Sequence, residues 1–364
     1  MKTTDWTDLP GPSLFLQRVE QDLCESKSVL AVVPSCFDDR WVYAIRSRLE
    51  NNYEWREVSG SPGEFLQEIS TRKDGQAFIH PREIIEKGIV RQGFVLKNPS
   101  GDKWNEWSSF LQSFAELHRG TNELNRNVFL VTSVETRNIL PNELLLSERR
   151  IEGFIRPEDP FFHAAQVVEP DETDSLWRKI RMHVCSEVAQ WDFRLCEQLC
   201  ELSTKDLLDP FDWLREYGKL RGWDDVSETS DPKILRQHGL LFSIGKEQIK
   251  HSALLALNGN KTEIDKRIWI AQVRVLFPII EEQRVRLLRA LGKISPSTIR
   301  LWENDLGPED SLGIGELHHR MICSGAFGLR PTTFAWKLKN IRNKLAHLKI
   351  CKPSDIPDDH EWFR

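Results

Sequence analysis

Near the C-terminal end of the chain, the octet "IRNKLAHL" (Ile341 to Leu348) gathers Arg342, Asn343 and His347. Histidine exchanges a proton near neutral pH, and an arginine fork holds a phosphate whose negative charge is growing. Together they suit cleavage of RNA by its own 2′-hydroxyl, which needs a proton-moving group and a cationic donor but no metal ion. Asn343 and His347 are four residues apart and lie one above the other on a helix, where Asn343 can orient the imidazole or a phosphate oxygen. Arg342 is about 140° round the axis from His347, a gap that its long stem can span. The plainer alternative is a solvated polar face with a histidine placed near the negative end of a helix dipole.

Other chemistry-bearing groups rank below this one. His318 and His319 could add a phosphate contact, and Glu281 and Glu282 could move protons, although adjacent glutamates after a proline read as a solvated helical turn. Cys185, Cys196 and Cys200 fall on one face if their segment is a single helix, with His183 close by. Zinc would accept such donors. Cysteine is also among the most buried residue types, so core packing is the expectation and no metal or cofactor is assigned.

The helix carrying the Arg-Asn-x-x-x-His set is predicted over "TTFAWKLKNIRNKLAHLKI", between Pro331 and Pro353, with Phe334, Leu338, Ile341, Leu345 and Leu348 as its apolar stripe. A second long helix, "TEIDKRIWIAQVRVLFPIIEEQRVRLLRALG", precedes it, and Pro278 in its interior predicts a kink. Earlier in the chain, "DSLWRKIRMHVCSEVAQWDFRLCEQLCEL" and "DPFDWLREYGKLRGW" read as helices only, followed by a loop at Asp224 to Lys233. From about Ser28 to Ser133 the pattern alternates. "SVLAVVPS", "QAFIHP", "GFVLKNPS" and "NVFLVTS" read as strands, separated by the helical stretches "DRWVYAIRSRLE", "SPGEFLQEIS" and "KWNEWSSFLQSFAELH". That alternation predicts a mostly parallel sheet covered on both faces.

The fold class expected is therefore an α/β parallel-sheet module, then an all-α region, then a C-terminal helical bundle. The boundaries are placed at residues 1–165, 166–255 and 256–364.

The loop "PSCFDDRWV" follows the first strand, where a phosphate-binding loop would stand. It has no glycine to bring backbone amides onto phosphate and no lysine to reach it, and it presents Asp38 and Asp39 instead. "GLLFSIGKE" (Gly239 to Glu247) has five residues between its glycines and ends in glutamate, so it is a chance likeness. ATP hydrolysis is not expected.

The 364 residues, 40% hydrophobic and 9% aromatic, suffice for two or three packed domains. Net charge is −5, but Lys261 to Lys349 holds sixteen Lys and Arg against nine Asp and Glu, a surplus of seven that fits an anionic partner such as RNA and equally a basic surface against an acidic domain of the same chain. The N-terminus lacks a basic region followed by a long apolar core, and the longest apolar run, "WIAQVRVLFPII", is interrupted by Gln272 and Arg274, so no membrane association is expected. Seven cysteines with no C-x-x-C pair fit a reducing cytoplasm.

Two family resemblances follow from these stretches. The Arg342-Asn343-x-x-x-His347 set, the long helix before it and "LGIGELHHRM" between them resemble the HEPN superfamily over about Lys261 to Cys351. That likeness implies a helical bundle, metal-independent RNA cleavage by Arg342, Asn343 and His347, and a homodimer in which two copies of the helix face each other. The sheet, the strand "VFLVTS" and the following helical "EVAQWDFRLCEQL" resemble signal-transduction ATPases of the STAND type over about Ser28 to Trp223, with the catalytic loop lost. The usual company of the two families implies a defence effector with a regulatory protein partner. The rival expectation is a non-enzymatic interaction subunit that has kept both folds.

Overall fold

A computed structural model describes residues 5–71, 80–86, 89–99, 101–117, 127–134, 146–168, 176–295, 297–299, 302 and 312–357. In chain order the elements are α1 (Pro10–Cys24), β1 (Ser28–Val32), α2 (Arg40–Arg48), β2 (Glu54–Val58), α3 (Pro62–Thr71), α4 (Arg82–Glu86), β3 (Gln92–Lys97), α5 (Gly101–Leu117), β4 (Val128–Ser133) and β5 (Leu146–Arg150). There follow α6 (Asp159–Val167), α7 (Leu176–Ala189), α8 (Phe193–Cys200), α9 (Thr204–Leu207), α10 (Phe211–Leu220), α11 (Pro232–Gln237), β6 (Leu241–Ile244) and β7 (Glu247–Lys250). The remainder is helical: α12 (Ser252–Leu257), α13 (Lys261–Ile294), α14 (Ile314–Ser324) and α15 (Leu329–Ala346). The contacts divide the chain into two units, Met1–Asp159 with Thr229–His251, and Pro160–Glu228 with Ser252–Arg364.

In the first unit five parallel strands stand in the order β2-β3-β4-β1-β5. The three central strands are nearly all buried and are the ones the sequence reveals as apolar runs. The edge strands are the polar "EWREV" and "LSERR", which carry no such signal because their outer sides meet water. The strand expected at "QAFIHP" falls mostly outside the described residues; its His80 and Pro81 lie in a bend and a turn. One face of the sheet is filled by an aromatic cluster, with Phe65 5.0 Å from Phe94 and Phe114 5.0 Å from Phe129. Asp22, buried on α1, takes Arg149 Nε at 2.6 Å and Ser147 Oγ at 2.8 Å, tying that helix to β5.

The look-alike stretch Gly239 to Glu247 is neither loop nor cradle. It is the first half of the antiparallel β6-β7 hairpin, which returns to the sheet unit after the chain has built most of α6 and all of α7 to α10 elsewhere.

The second unit is helical. The stretch read as helical up to Leu202 is two helices from Leu176 on, so the condition of a single helix is not met. Gln190 takes a positive φ of 54°, and Asp192 caps α8 by accepting from the Leu195 N–H at 2.9 Å and from the Tyr217 hydroxyl at 2.9 Å. Helix α13 runs on through Pro278 as one 34-residue helix. Its buried Arg267 donates to Ser252 Oγ at 2.6 Å, and that hydroxyl donates to the Val188 carbonyl at 2.5 Å, so the cation is enclosed but not unpaired.

Candidate functional site

Helix α15 lays Phe334, Leu338, Ile341 and Leu345 into the core of the second unit. Leu348, expected on the same stripe, is 71% exposed. The stripe holds only while the helical phase continues, and the helix stops at Ala346. Beyond it the Leu348 N–H donates to the Leu345 carbonyl at 3.1 Å and the Lys349 N–H to the Lys344 carbonyl at 2.9 Å, with Leu348 at a φ of +56°. This is the paired-bond helix stop that usually places glycine at the left-handed position.

The turn is clamped from α13. Trp269 Nε1 donates to the Leu345 carbonyl at 2.7 Å, a second bond to the acceptor that already takes the Leu348 N–H. Gln272, fully buried, donates through Nε2 to the Cys351 carbonyl at 2.8 Å and accepts the Cys351 N–H at 2.7 Å. Lys344 pairs with Asp355, which also accepts the Lys352 N–H at 2.7 Å. The sequence showed Gln272 only as a polar interruption of an apolar run. Its position on the inward face of the helix was the available signal.

On this clamped end stand the three candidate residues. Arg342 is exposed and its Nη1 donates to Asn343 Oδ1 at 3.3 Å. Asn343 is half-buried, and His347 is exposed as the capping residue, its N–H donating to the Asn343 and Lys344 carbonyls at 3.1 Å each. Among the described residues, none of the three side chains bonds to another element. The fold fixes where they sit but does not use them to do so.

The second-rank residues divide. His318 is buried on α14, and burial, followed by the nearby Lys339 and His319 charges, holds its pKa below the ordinary value; it belongs to packing rather than to a phosphate site. His319 is exposed, with Nε2 3.7 Å from Cys323 Sγ. Glu281 pairs with Arg284 at 2.8 Å and Glu282 with Arg286, one turn away on the same helix. The second is an ordinary i,i+4 surface pair, whereas Arg284 is buried and also donates to the Leu312 carbonyl at 2.9 Å.

Because the segment is two helices, the single-face arrangement does not apply: Cys185 and Cys196 are fully buried and Cys200 is half-buried. His183 does not join them; its ring lies 4.6 Å from Phe161. Among the described residues, no group of three or more His, Cys, Asp and Glu is placed to hold a metal ion.

In the sheet unit, the loop after β1 is filled by its own side chains. Cys36 is buried against Gly239, whose φ of +70° and lack of a side chain let the two approach; a Cβ there would stand 2.3 Å from Cys36 Sγ. Phe37 packs 5.3 Å from Trp6 and 6.2 Å from Phe242. Asp38 accepts from Trp6 Nε1 at 3.1 Å and from Arg40 Nε at 2.8 Å, and Asp39 pairs with Lys97 at 3.3 Å. At the carboxyl ends of β1 and β5, beside this loop, lies a cavity of about 640 Å³ whose lining includes Val32, Pro34, Arg150, Glu152, Lys233 and Arg236.

No protein-family model and no curated protein matches the chain. Among solved structures, a variant of RuvB from Thermotoga maritima superposes with a TM-score of 0.33 at 12% identity, covering 67% of this chain and 90% of that one. A Signal Transduction ATPase with Numerous Domains (STAND) protein with a tetratricopeptide repeat sensor, from Pyrococcus horikoshii, superposes with a TM-score of 0.30 at 13% identity. It covers 91% of this chain, which spans 56% of its length. Likeness at this level carries no function across. No helix among the described residues is long and apolar enough to cross a membrane.

Proposed function

We propose that the chain is a metal-independent endoribonuclease of the HEPN type, acting in prokaryotic defence in the cytoplasm. Its bundle at 256–364 carries the site, the helices within 166–255 support it, and a STAND-like sheet module at 1–165, joined by the β6-β7 hairpin, regulates it without turning over ATP. One observation carries the reading: Arg342 and His347 stand in solvent, with Asn343 half-buried between them, on a helix end whose geometry is fixed by Trp269, Gln272 and Asp355 and by none of the three side chains themselves.

In this mechanism His347 takes the proton of the RNA 2′-hydroxyl as it attacks the adjacent phosphorus, the P–O5′ bond breaks, and the 5′-oxygen leaves as a hydroxyl with a proton returned by an imidazolium or by water. Arg342 holds the phosphate as its charge grows, and Asn343 orients its neighbours. The attacking oxygen belongs to the RNA, so the product is a 2′,3′-cyclic phosphate and no cofactor is called for. One helix end supplies one arginine and one histidine, so the complete site is a homodimer cleft lined by both copies. The self-filled loop after β1 supports the absence of turnover in the sheet module.

The second reading, an interaction subunit without chemistry, is favoured by Leu329 and Trp336, apolar residues exposed on α15 at 88% and 50%. Digestion of end-labelled RNA with EDTA present separates the two. Cyclic-phosphate products that vanish in the double variant Arg342→Ala, His347→Ala support the nuclease; no cleavage with any activating partner supports the subunit.

A further inference from the structure

Helix α15 turns a face to solvent that runs along its length and ends at the candidate site. Leu329, Thr333, Trp336, Asn340, Asn343 and His347 succeed one another at steps of four and three, on the side opposite the buried Phe334, Leu338, Ile341 and Leu345. Leu329 is 88% exposed and Trp336 50%. Among the described residues Trp336 is the one exposed tryptophan, with no ring stacked on it and no group bonded to its indole N–H. A tryptophan held open in this way leaves a large flat apolar surface in water, and packing within the chain gives no reason for it.

Charge decides what suits that surface. The 18 residues of α15 hold five cations, Arg330, Lys337, Lys339, Arg342 and Lys344, and no carboxylate. Lys337 and Lys344 flank the exposed face on one side, Lys339 and Arg342 on the other. Lys344 shares its charge with Asp355, and α14, packed against α15, adds only the pair of Arg320 and Glu316 at 2.8 Å. A second copy set directly on this face would oppose like charge to like charge. A polyanion that carries flat rings meets both demands, its phosphates beside the two rows of cations and an unpaired base on the indole.

We propose that this face is a track for single-stranded RNA, with Trp336 as the platform on which one unpaired base stacks. The inference rests on the nuclease reading for its direction, since the track leads to Arg342 and His347. Seven residues separate Trp336 from Asn343 and eleven separate it from His347, about 10 Å and about 16 Å along the axis at about 1.5 Å per residue. The stacked base therefore lies a few nucleotides from the phosphate that Arg342 holds, and it sets the register in which the strand enters. Bases paired inside a duplex have no free face for the indole, so the site takes single strands, loops and ends.

Binding is read in the full-length His347→Ala chain, so that affinity does not depend on cleavage, by fluorescence anisotropy of a short end-labelled RNA without self-pairing and of the same RNA annealed to its complement. Adding Trp336→Ala to that chain should weaken single-strand binding roughly tenfold or more, whereas Trp336→Phe keeps a stacking ring and should stay within about threefold. Leu220→Ala, which trims a leucine 88% exposed on α10, should change nothing. Lys339→Gln should lower the slope of log affinity against log salt by about 0.7. The duplex should bind more weakly than the single strand and be indifferent to Trp336→Ala. Unchanged single-strand affinity in Trp336→Ala, or a loss that light scattering traces to a dimer falling apart, would overturn the track and give the face to a second copy or another protein. Binding through Trp336 by an unsubstituted chain that cuts no RNA would keep the track and refute the nuclease instead.

Discussion

Replacing Gln272 with leucine keeps the volume of the side chain at the inward face of α13 but removes both of its bonds to Cys351. The N–H and carbonyl of Cys351 are then left in a fully buried place with no partner, since water does not reach that residue. Each stranded group costs about 1–3 kcal/mol, so the gross loss is roughly 2–6 kcal/mol. The apolar leucine returns about 1–2 kcal/mol by its own burial, for a net loss of about 3 kcal/mol. In a helical unit of this size that is a fall in melting temperature of about 6–12 °C. Gln272→Glu keeps the acceptor for the Cys351 N–H and loses the donor, so its loss should be intermediate. Calorimetry and urea unfolding read both variants. A loss below about 0.5 kcal/mol in Gln272→Leu would show that the clamp does not hold the turn, and would remove the stated reason why His347 has a fixed position.

Four further outcomes follow. Arg342→Ala and His347→Ala should each lower RNA cleavage by roughly 10² or more, with little change in melting temperature, because neither side chain contributes to packing. Leu348→Gly should raise stability by about 1 kcal/mol in urea unfolding, since the exposed leucine occupies a left-handed position that glycine adopts freely. His183 is held below its ordinary pKa by burial first and Arg274 second. The unfolded chain therefore binds a proton before the folded one does, and stability falls as pH drops below about 6.5; urea midpoints at pH 7.5 and 5.5 should differ less in His183→Gln. Gly239→Ala meets Cys36 at 2.3 Å and should cost well over the roughly 1 kcal/mol of Gly245→Ala, which has the same sign of φ and nothing within 4 Å, a comparison that thermal melts of the sheet unit resolve.

What the sequence by itself determined was whatever depends on local periodicity. The buried strands β1, β3 and β4 carry the unbroken apolar runs Val29–Val32, Phe94–Leu96 and Val128–Val131 because both faces are covered there, and the long helices α13 and α15 repeat their apolar positions over many turns. The Arg342-Asn343-x-x-x-His347 spacing is likewise local, and it placed the three side chains on one helix end without reference to anything else in the chain. Only the tertiary structure decided the rest. The edge strands β2 and β5 are polar segments recruited by the hydrogen-bonding edges of their neighbours, a signal that exists only once the sheet has formed. At the break between α7 and α8 Asp192 caps α8 through the local Leu195 N–H, and its other carboxylate oxygen is held by the Tyr217 hydroxyl, 25 residues on. The end of α15 at Ala346 takes its fixed place from Trp269 and Gln272, more than seventy residues upstream, whose bonds to Leu345 and Cys351 no periodicity encodes. Long-range hydrogen bonds to buried backbone groups carry little sequence pattern, since one asparagine, glutamine or tryptophan at the right depth suffices.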